Sequence, residues 1–201
     1  GADGYMRTGW VNEAGSWFYH DASGAQASGW VKDGSSWYYL DPAMGRMATG
    51  WLLDGLTWYY LMPGSGVMAT GWLLDGGKWY YLDGEGIMKT GWIKVGNDWF
   101  HMNSSGVMSA GWLKSGNSWY WLDPATGAMA TGTKTVEGRE SSFASSGAWL
   151  GYADGSGAPG ANADSRSGSR DAVTNAEGQR LIMTAPMASR SEVIDDMVAA
   201  W

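Results

Sequence analysis

A repeat of 20 or 21 residues constrains the fold of this chain more than any other feature. Gly-Trp pairs recur along its first two thirds, and a second Trp stands seven residues after the first. The first Trp of each copy is at position 10, 30, 51, 72, 92 or 112, and the second is at 17, 37, 58, 79, 99 or 119. Such a period indicates stacked supersecondary units, because one unit alone is too small to bury a core.

Each copy is expected to form a β-hairpin. In the second copy, two short aromatic-rich runs, WVK and WYYL, flank Asp33-Gly34, and Asp54-Gly55 has the same place in the third. Asp-Gly between such runs is a strong hairpin signal, because Gly adopts positive φ without steric cost. A two-stranded hairpin is only marginally stable by itself. The sequence therefore predicts an all-β fold, a solenoid (superhelical stack) of short β-hairpin repeats.

The ends of the chain differ from its repeats. Residues 1–9 are predicted to be the tail of an incomplete upstream repeat, 10–131 to be six hairpin repeats, and 132–152 to be a degenerate capping repeat. A Gly/Ala/Ser-rich linker is predicted at 153–178. The start of a downstream domain is predicted at 179–201, with a short helix at about 190–201. In the capping repeat, Glu140, Ser141 and Ser142 replace the aromatic triplet, and Trp149 takes the methionine position. We expect the chain to be a piece of a longer protein.

Composition excludes several function classes. There are 15 Trp and 10 Tyr but only 3 Phe, so apolar bulk comes from side chains with large faces and polar tips. The absence of Cys excludes disulfides and thiolate chemistry. A net charge of -7 argues against nucleic-acid binding, which needs a basic surface. No apolar run approaches the ~20 residues of a transmembrane helix.

No catalytic motif is apparent in the repeats. His20 and His101 replace strand residues in regular copies, which favours tolerated substitutions over a catalytic base or metal ligand. Asp41, Asp83 and Asp123 follow the aromatic blocks and are typical of turn residues that bond local backbone. We therefore predict a non-catalytic module with no metal and no cofactor.

Strand alternation places aromatic side chains on both faces of each hairpin. In the second copy, Trp37 and Tyr39 point to one face, while Tyr38 and Leu40 point to the other. The two Trp residues of one repeat are then able to face the middle Tyr of the next, which leaves a three-sided aromatic box at the junction. Such a box suits a quaternary ammonium, because ring faces attract cations and the methyl groups need no hydrogen bonds.

The stretch GWLLDGGKWYYLDGEGIMKTGW, residues 71–92, resembles the choline-binding or cell-wall-binding repeat of Gram-positive surface proteins and lysins. The resemblance extends over about residues 4–151. It implies a superhelical stack of hairpins whose junctional boxes hold choline on teichoic acids. It also implies an extracellular protein attached non-covalently to the bacterial cell wall, with a wall hydrolase as a frequent neighbouring domain.

Carried onto this sequence, the resemblance implies five boxes. In chain order, the first is Trp10, Trp17 and Tyr38; the second is Trp30, Trp37 and Tyr59; the third is Trp51, Trp58 and Tyr80; the fourth is Trp72, Trp79 and Phe100; and the fifth is Trp92, Trp99 and Tyr120. The fourth departs from the pattern, since Phe100 replaces Tyr. Trp112 and Trp119 meet Ser141 and are not expected to form a complete box. Met47, Met68, Met88 and Met108 are expected to line the pocket floors, and Gln26 breaks that methionine pattern.

Two other interpretations of the aromatic repeats stay open. Similar repeats in glucan-binding enzymes use aromatic rings as flat platforms for sugars, so a glucan-binding module of a secreted enzyme is the first alternative. A structural or adhesion stalk, whose rings only fill a core, is the second. Choline-bearing teichoic acid or another wall polymer is the expected partner in the main interpretation, and a glucan is the partner in the first alternative.

Overall fold

The computed structural model describes residues 6–157 and 159, and these residues form fifteen β-strands and no helix. The strands are β1 Gly9–Glu13, β2 Ser16–His20, β3 Gly29–Asp33, β4 Ser36–Leu40, β5 Gly50–Asp54, β6 Thr57–Leu61, β7 Gly71–Asp75, β8 Lys78–Leu82, β9 Gly91–Val95, β10 Asp98–Met102, β11 Gly111–Ser115, β12 Ser118–Leu122, β13 Gly132–Val136, β14 Arg139–Phe143 and β15 Trp149–Tyr152. The first twelve form six separate two-stranded sheets, and the last three form one sheet in the order β13-β14-β15. This confirms the predicted all-β fold of repeated hairpins.

Two-residue turns close the hairpins. In the second hairpin the ladder runs from Gly29 opposite Leu40 to Asp33 opposite Ser36, so Asp33 ends its strand and Gly34 opens the turn. Gly34 has a φ of 55°, which is the left-handed region that the tight turn requires. Asp33 therefore belongs to the strand, and its carboxylate is available for a contact outside the turn.

A closing motif ties each hairpin to the one before it. After β4, Asp41 Oδ1 accepts the backbone N–H groups of Ala43 and Met44, which forms the expected local turn. The chain then returns to form an isolated bridge between Leu40 and Met47. The Met47 N–H donates to the carbonyl oxygen of Trp17 in the preceding hairpin at 2.8 Å, so backbone hydrogen bonds as well as side chains link consecutive repeats.

One fully buried side chain per repeat forms the centre of the core. It is the last residue of the second strand, and it has no solvent exposure in five consecutive hairpins: Leu40, Leu61, Leu82, Met102 and Leu122. His20 holds this position in the first hairpin, where its Nδ1 lies 3.1 Å from the Gly24 carbonyl oxygen. Both His20 and His101 thus stand at strand positions that are apolar or aromatic in the other repeats.

The described residues fall into two compact units. Unit 1 takes in the residues up to Gly71 together with Leu82–Met88, and unit 2 takes in Trp72–Tyr81 and the residues from Lys89 onward. Within the described part of the chain, no helix has the length and hydropathy needed to cross a bilayer. The predicted helix at about 190–201 and nearly all of the predicted linker lie outside the described residues.

Candidate functional site

The second box is assembled as the strand alternation predicts. The Trp30 and Trp37 ring centroids are 6.5 Å apart with an angle of 85° between the planes, and Tyr59 of the next hairpin lies 4.8 Å from Trp30. Trp37 remains 40% exposed, although its ring is one wall of the group. Three aromatic groups with nearly perpendicular walls therefore meet at a solvent-accessible junction within unit 1.

A fourth ring that the site prediction omitted supports this box. Tyr39 lies opposite Trp30 in the same ladder, and the two ring centroids are 5.2 Å apart. Trp30 is consequently held between Tyr39 of its own hairpin and Tyr59 of the next. The alternation had already placed Tyr39 on the same face as Trp37, so the sequence contained the signal for this contact. Tyr19, Tyr60, Tyr81 and His101 have the same place in other hairpins.

The first and fifth boxes share the inter-repeat contact of the second. Trp10 and Tyr38 have ring centroids 4.7 Å apart, and Trp92 and Tyr120 have centroids 4.9 Å apart. The second Trp is exposed in both groups, at 41% for Trp17 and for Trp99. Both junctions therefore present an indole face to solvent beside a T-shaped Trp–Tyr pair.

The third predicted box divides between the two units. Trp51 and Trp58 belong to unit 1, and their ring centroids are 6.3 Å apart at 83°. Tyr80 belongs to unit 2, where burial and the nearby negative charge of Asp75 raise the pKa of its phenol.

The fourth predicted box is filled. Trp72 contacts Trp79 and Phe100 at centroid distances of 6.4 and 4.8 Å, but the two indoles are only 6% and 9% exposed. Ile93, Met102 and Met108 complete a buried cluster with these rings, and Val95 packs against it. This junction is part of the hydrophobic core of unit 2 and presents almost no aromatic surface to solvent.

The methionines of the closing motifs lie beside the second Trp of the preceding repeat. Their backbone N–H groups donate to that Trp carbonyl oxygen in the pairs Met47–Trp17, Met68–Trp37, Met88–Trp58, Met108–Trp79 and Met129–Trp99. Met129 is a residue that the site prediction missed, although GAMATG repeats the motif. The side chains of Met47, Met68 and Met108 extend against a glycine of the following repeat, so they also join successive repeats. Gln26 has the corresponding place against Gly45.

The first Trp of a box donates its indole N–H to a side chain of the next hairpin. The Trp10 indole N–H donates to Asp33 Oδ2 at 3.0 Å, and the Trp30 indole N–H donates to Asp54 Oδ2 at 2.9 Å. In the fifth box, the Trp92 indole N–H donates to Ser115 Oγ at 3.4 Å. Asp33 and Asp54 were predicted to be turn residues, and these contacts, which join residues 23 or 24 positions apart, were not predicted.

Charged side chains lie at the edges of the boxes. Burial raises the pKa of the Tyr38 phenol, and the negative charge of Asp33 raises it further. Lys32 lies opposite Trp37 in the ladder, with Nζ 5.7 Å from the ring centroid. The second box is thus bordered by the Asp54 carboxylate on Trp30 and by the Lys32 ammonium on Trp37.

The last junction is closed by a strand that was not predicted. Trp149 and Tyr152 of β15 lie 5.9 and 6.4 Å from the Trp112 ring, and Phe143 stacks on it at 6.0 Å. Ser141 stands at the position of the box Tyr and is fully buried. Aromatic groups from a third strand therefore cover Trp112 in place of the missing Tyr.

These groups provide aromatic faces and carboxylates, which suit a cationic ligand without hydrogen-bonding needs. In residues 6–157, no group of three or more His, Asp or Glu side chains is arranged to hold a metal ion.

Comparison with known families agrees with this geometry. The choline-binding repeat matches residues 7–45, 27–70 and 89–133, and the cell wall binding repeat matches residues 70–88. The first of these alone covers more than half of the chain. The chain belongs to the choline-binding repeat family. The resemblance seen in the sequence is thereby confirmed.

Solved structures of this family are similar over the same region. CbpJ from Streptococcus pneumoniae TIGR4 is 44% identical with a TM-score of 0.70, over 72% of this chain and 52% of CbpJ. Choline binding protein F from Streptococcus pneumoniae is 43% identical with a TM-score of 0.67, over 72% of this chain and 52% of its own. A structure of CbpF in complex with ipratropium is 40% identical with a TM-score of 0.65, over 72% and 54%. The chain therefore spans about half the length of these relatives. No curated protein matches it.

Proposed function

We propose that this chain binds choline, or a ligand with a similar quaternary ammonium group, in the first, second and fifth boxes. The observation that carries the proposal is the second box, where Trp30, Trp37 and Tyr59 meet as T-shaped neighbours and Trp37 keeps 40% of its surface exposed. Each ring face attracts a cation held within about 6 Å of its centroid. The fourth group is left out, because Trp72 and Trp79 are buried.

The shape of the box favours a compact cation over a sugar. A sugar ring stacks on one flat, open aromatic face, whereas the Trp30 and Trp37 planes stand at 85° to each other and enclose a corner. A trimethylammonium group contacts several walls of such a corner at once. CbpF in complex with ipratropium, itself a quaternary ammonium compound, supports the same ligand chemistry for this chain.

On the cell, the ligand would be the choline carried by wall teichoic acid, which places the protein outside the cell and holds it on the wall without a covalent bond. A structure of CbpF was determined in the presence of a peptidoglycan analogue, which is consistent with a wall setting. The repeat module itself would bind, and a separate part of a longer protein, such as a wall hydrolase or a surface protein, would carry other activities. Several weak sites on one polymer-bearing surface would increase overall avidity through effective concentration.

Titration of the purified chain with choline chloride tests this function. Tryptophan fluorescence and the thermal midpoint are followed, with sodium chloride at equal ionic strength as the control. A saturable fluorescence change with a rising midpoint is expected, because a ligand that binds only the folded state stabilises it. A response to glucan oligosaccharides and none to choline would replace the proposal with the glucan alternative, and no response to either would favour the stalk.

A further inference from the structure

We call a junction open where its second Trp is about 40% exposed, as in the first, second and fifth boxes, and closed where other apolar side chains cover its Trp residues. One residue per repeat differs between the open and the closed junctions. It is the last residue of the first strand of a hairpin, and where the preceding repeat lies in the same unit it packs against or bonds the first Trp of that repeat. In the two open junctions of unit 1 it is an aspartate, Asp33 or Asp54, whose carboxylate accepts the hydrogen bond of that indole. In the open fifth box it is Ser115, whose hydroxyl accepts it.

Valine at the same position accompanies a closed junction. Val95 packs against the cluster that buries Trp72 and Trp79 to 6% and 9% exposure. Val136 is 2% exposed and forms a second apolar cluster against which Trp112 packs. A valine has no acceptor for the indole N–H, and it adds apolar surface that brings neighbouring rings together.

We propose that this position determines whether a junction binds a quaternary ammonium, with Asp33 and Asp54 acting as positioning residues for cation sites. The inference rests on the proposed function and adds to it a residue outside the aromatic walls. The carboxylate orients the indole through a charge-assisted hydrogen bond, and its negative charge also increases the attraction of the ring for a cation. At a valine position, both contributions are absent and the junction serves as core.

Asp54 offers the sharpest test, because Trp30 reports on its box and Trp10 reports on the neighbouring one. The indole N–H signals of Trp30 and Trp10 are followed by ¹H–¹⁵N NMR during titration with choline, and each is assigned by its loss in a Trp→Phe variant. In Asp54→Asn, an acceptor of the same shape remains but the charge is lost. The dissociation constant read at Trp30 should rise about threefold to tenfold, the size expected for one charge near a partly hydrated site, while the value at Trp10 stays the same.

A neutral ligand separates the electrostatic role from a structural one. 3,3-Dimethylbutan-1-ol has the shape of choline with carbon in place of the charged nitrogen, so its affinity at Trp30 should change less than twofold in Asp54→Asn. Glu85→Gln removes one exposed charge elsewhere in unit 1 and should alter neither ligand's affinity. Asp54→Val imitates Val95 and should abolish the saturable response of Trp30 to both ligands.

The outcomes distinguish the two proposals. If neither indole of the unmodified chain responds to choline, the proposed function fails. If both respond and Asp54→Asn binds choline at Trp30 as tightly as Glu85→Gln does, the function stands and the role of Asp54 is refuted. An equal loss of choline and of its neutral analogue in Asp54→Asn would also refute it, since that result indicates only a change of shape. If Asp54→Val does not fold, as judged from its thermal midpoint, the titrations of Asp54→Asn with the two ligands still test the role of Asp54.

Discussion

The Met47 side chain occupies the space that a Cβ on Gly66 would need. Gly66 belongs to the following repeat, has a φ of 70°, and lies so close that an added Cβ would be 2.8 Å from Met47 Cγ and nearer still to the sulfur. The same relationship joins Met68 to Gly86 and Met129 to Gly147. A methionine on one repeat and a glycine on the next thus form a recurring contact that brings successive hairpins together.

Gly66→Ala should be more destabilising than Gly64→Ala. Both glycines have positive φ, but nothing lies within 4 Å of a Cβ on Gly64. The overlap with Met47 should reduce the free energy of unfolding by about 1–3 kcal/mol beyond the backbone cost that the two variants share. Chemical denaturation measures the free energy of unfolding of both variants. Adding Met47→Ala to Gly66→Ala should recover much of the difference in free energy of unfolding. If Gly66→Ala and Gly64→Ala lose the same free energy of unfolding, the Met47 side chain moves aside without measurable cost and the prediction is wrong.

Trp37→Ala should mainly reduce choline binding, whereas Trp79→Ala should mainly reduce stability. Trp37 is 40% exposed at an open box, so its removal should abolish choline binding there and lower the free energy of unfolding by less than about 2 kcal/mol. Trp79 is 9% exposed in the core, so its removal should cost about 3–5 kcal/mol. Choline titration and denaturation of each variant make the comparison. A large stability loss with unchanged binding in Trp37→Ala would favour a purely structural role for the ring.

Acidification should destabilise the region of His101. This ring lies 5.1 Å from Trp92 at the position of a box-supporting Tyr, its Nδ1 is 3.0 Å from Ser109 Oγ, and burial lowers its pKa below the ordinary value of 6.5. The unfolded chain therefore takes up the proton first. The stability contributed by neutral His101 is complete above about pH 6.5 and is lost as the pH falls through the lowered folded pKa.

Comparison of His101→Tyr with the unmodified chain isolates this effect. The thermal midpoint of the unmodified chain should fall more between pH 7.5 and pH 5 than that of His101→Tyr, because the two chains differ only at this position. An imidazolium beside Trp92 should also weaken choline binding at the fifth box. If the thermal midpoints of the two chains fall by the same amount across this pH range, the prediction is wrong.

Ser141→Ala should stabilise the capping repeat. The Ser141 hydroxyl is fully buried, and within residues 6–157 it has no hydrogen-bond partner. An unsatisfied buried hydroxyl costs about 1–3 kcal/mol, so its removal should raise the free energy of unfolding by about 1 kcal/mol. Ser146→Ala, in the exposed turn that follows β14, is the control and should change stability by less than about 0.5 kcal/mol. A loss of stability in Ser141→Ala would mean that the hydroxyl is bonded after all.

The sequence by itself determined the hairpins, their period and the inter-repeat Trp–Tyr contacts. These features follow from local rules: a glycine at a turn, alternation along a strand and a repeat length that returns the pattern to the same place. For this reason Trp30 and Tyr59 could be paired correctly from their positions alone. The site prediction omitted Tyr39 and Met129, although the same pattern contained both.

Only the tertiary structure decided which junctions are open. Trp72 and Trp79 follow the same pattern as Trp30 and Trp37, yet they are buried because Val95 and Phe100 of the next repeat pack against them. Likewise, β15 supplies aromatic groups to Trp112, and Asp54 bonds the Trp30 indole across 24 residues. Burial and hydrogen bonding depend on side chains that folding brings from a neighbouring repeat, and a pattern within one repeat does not contain them.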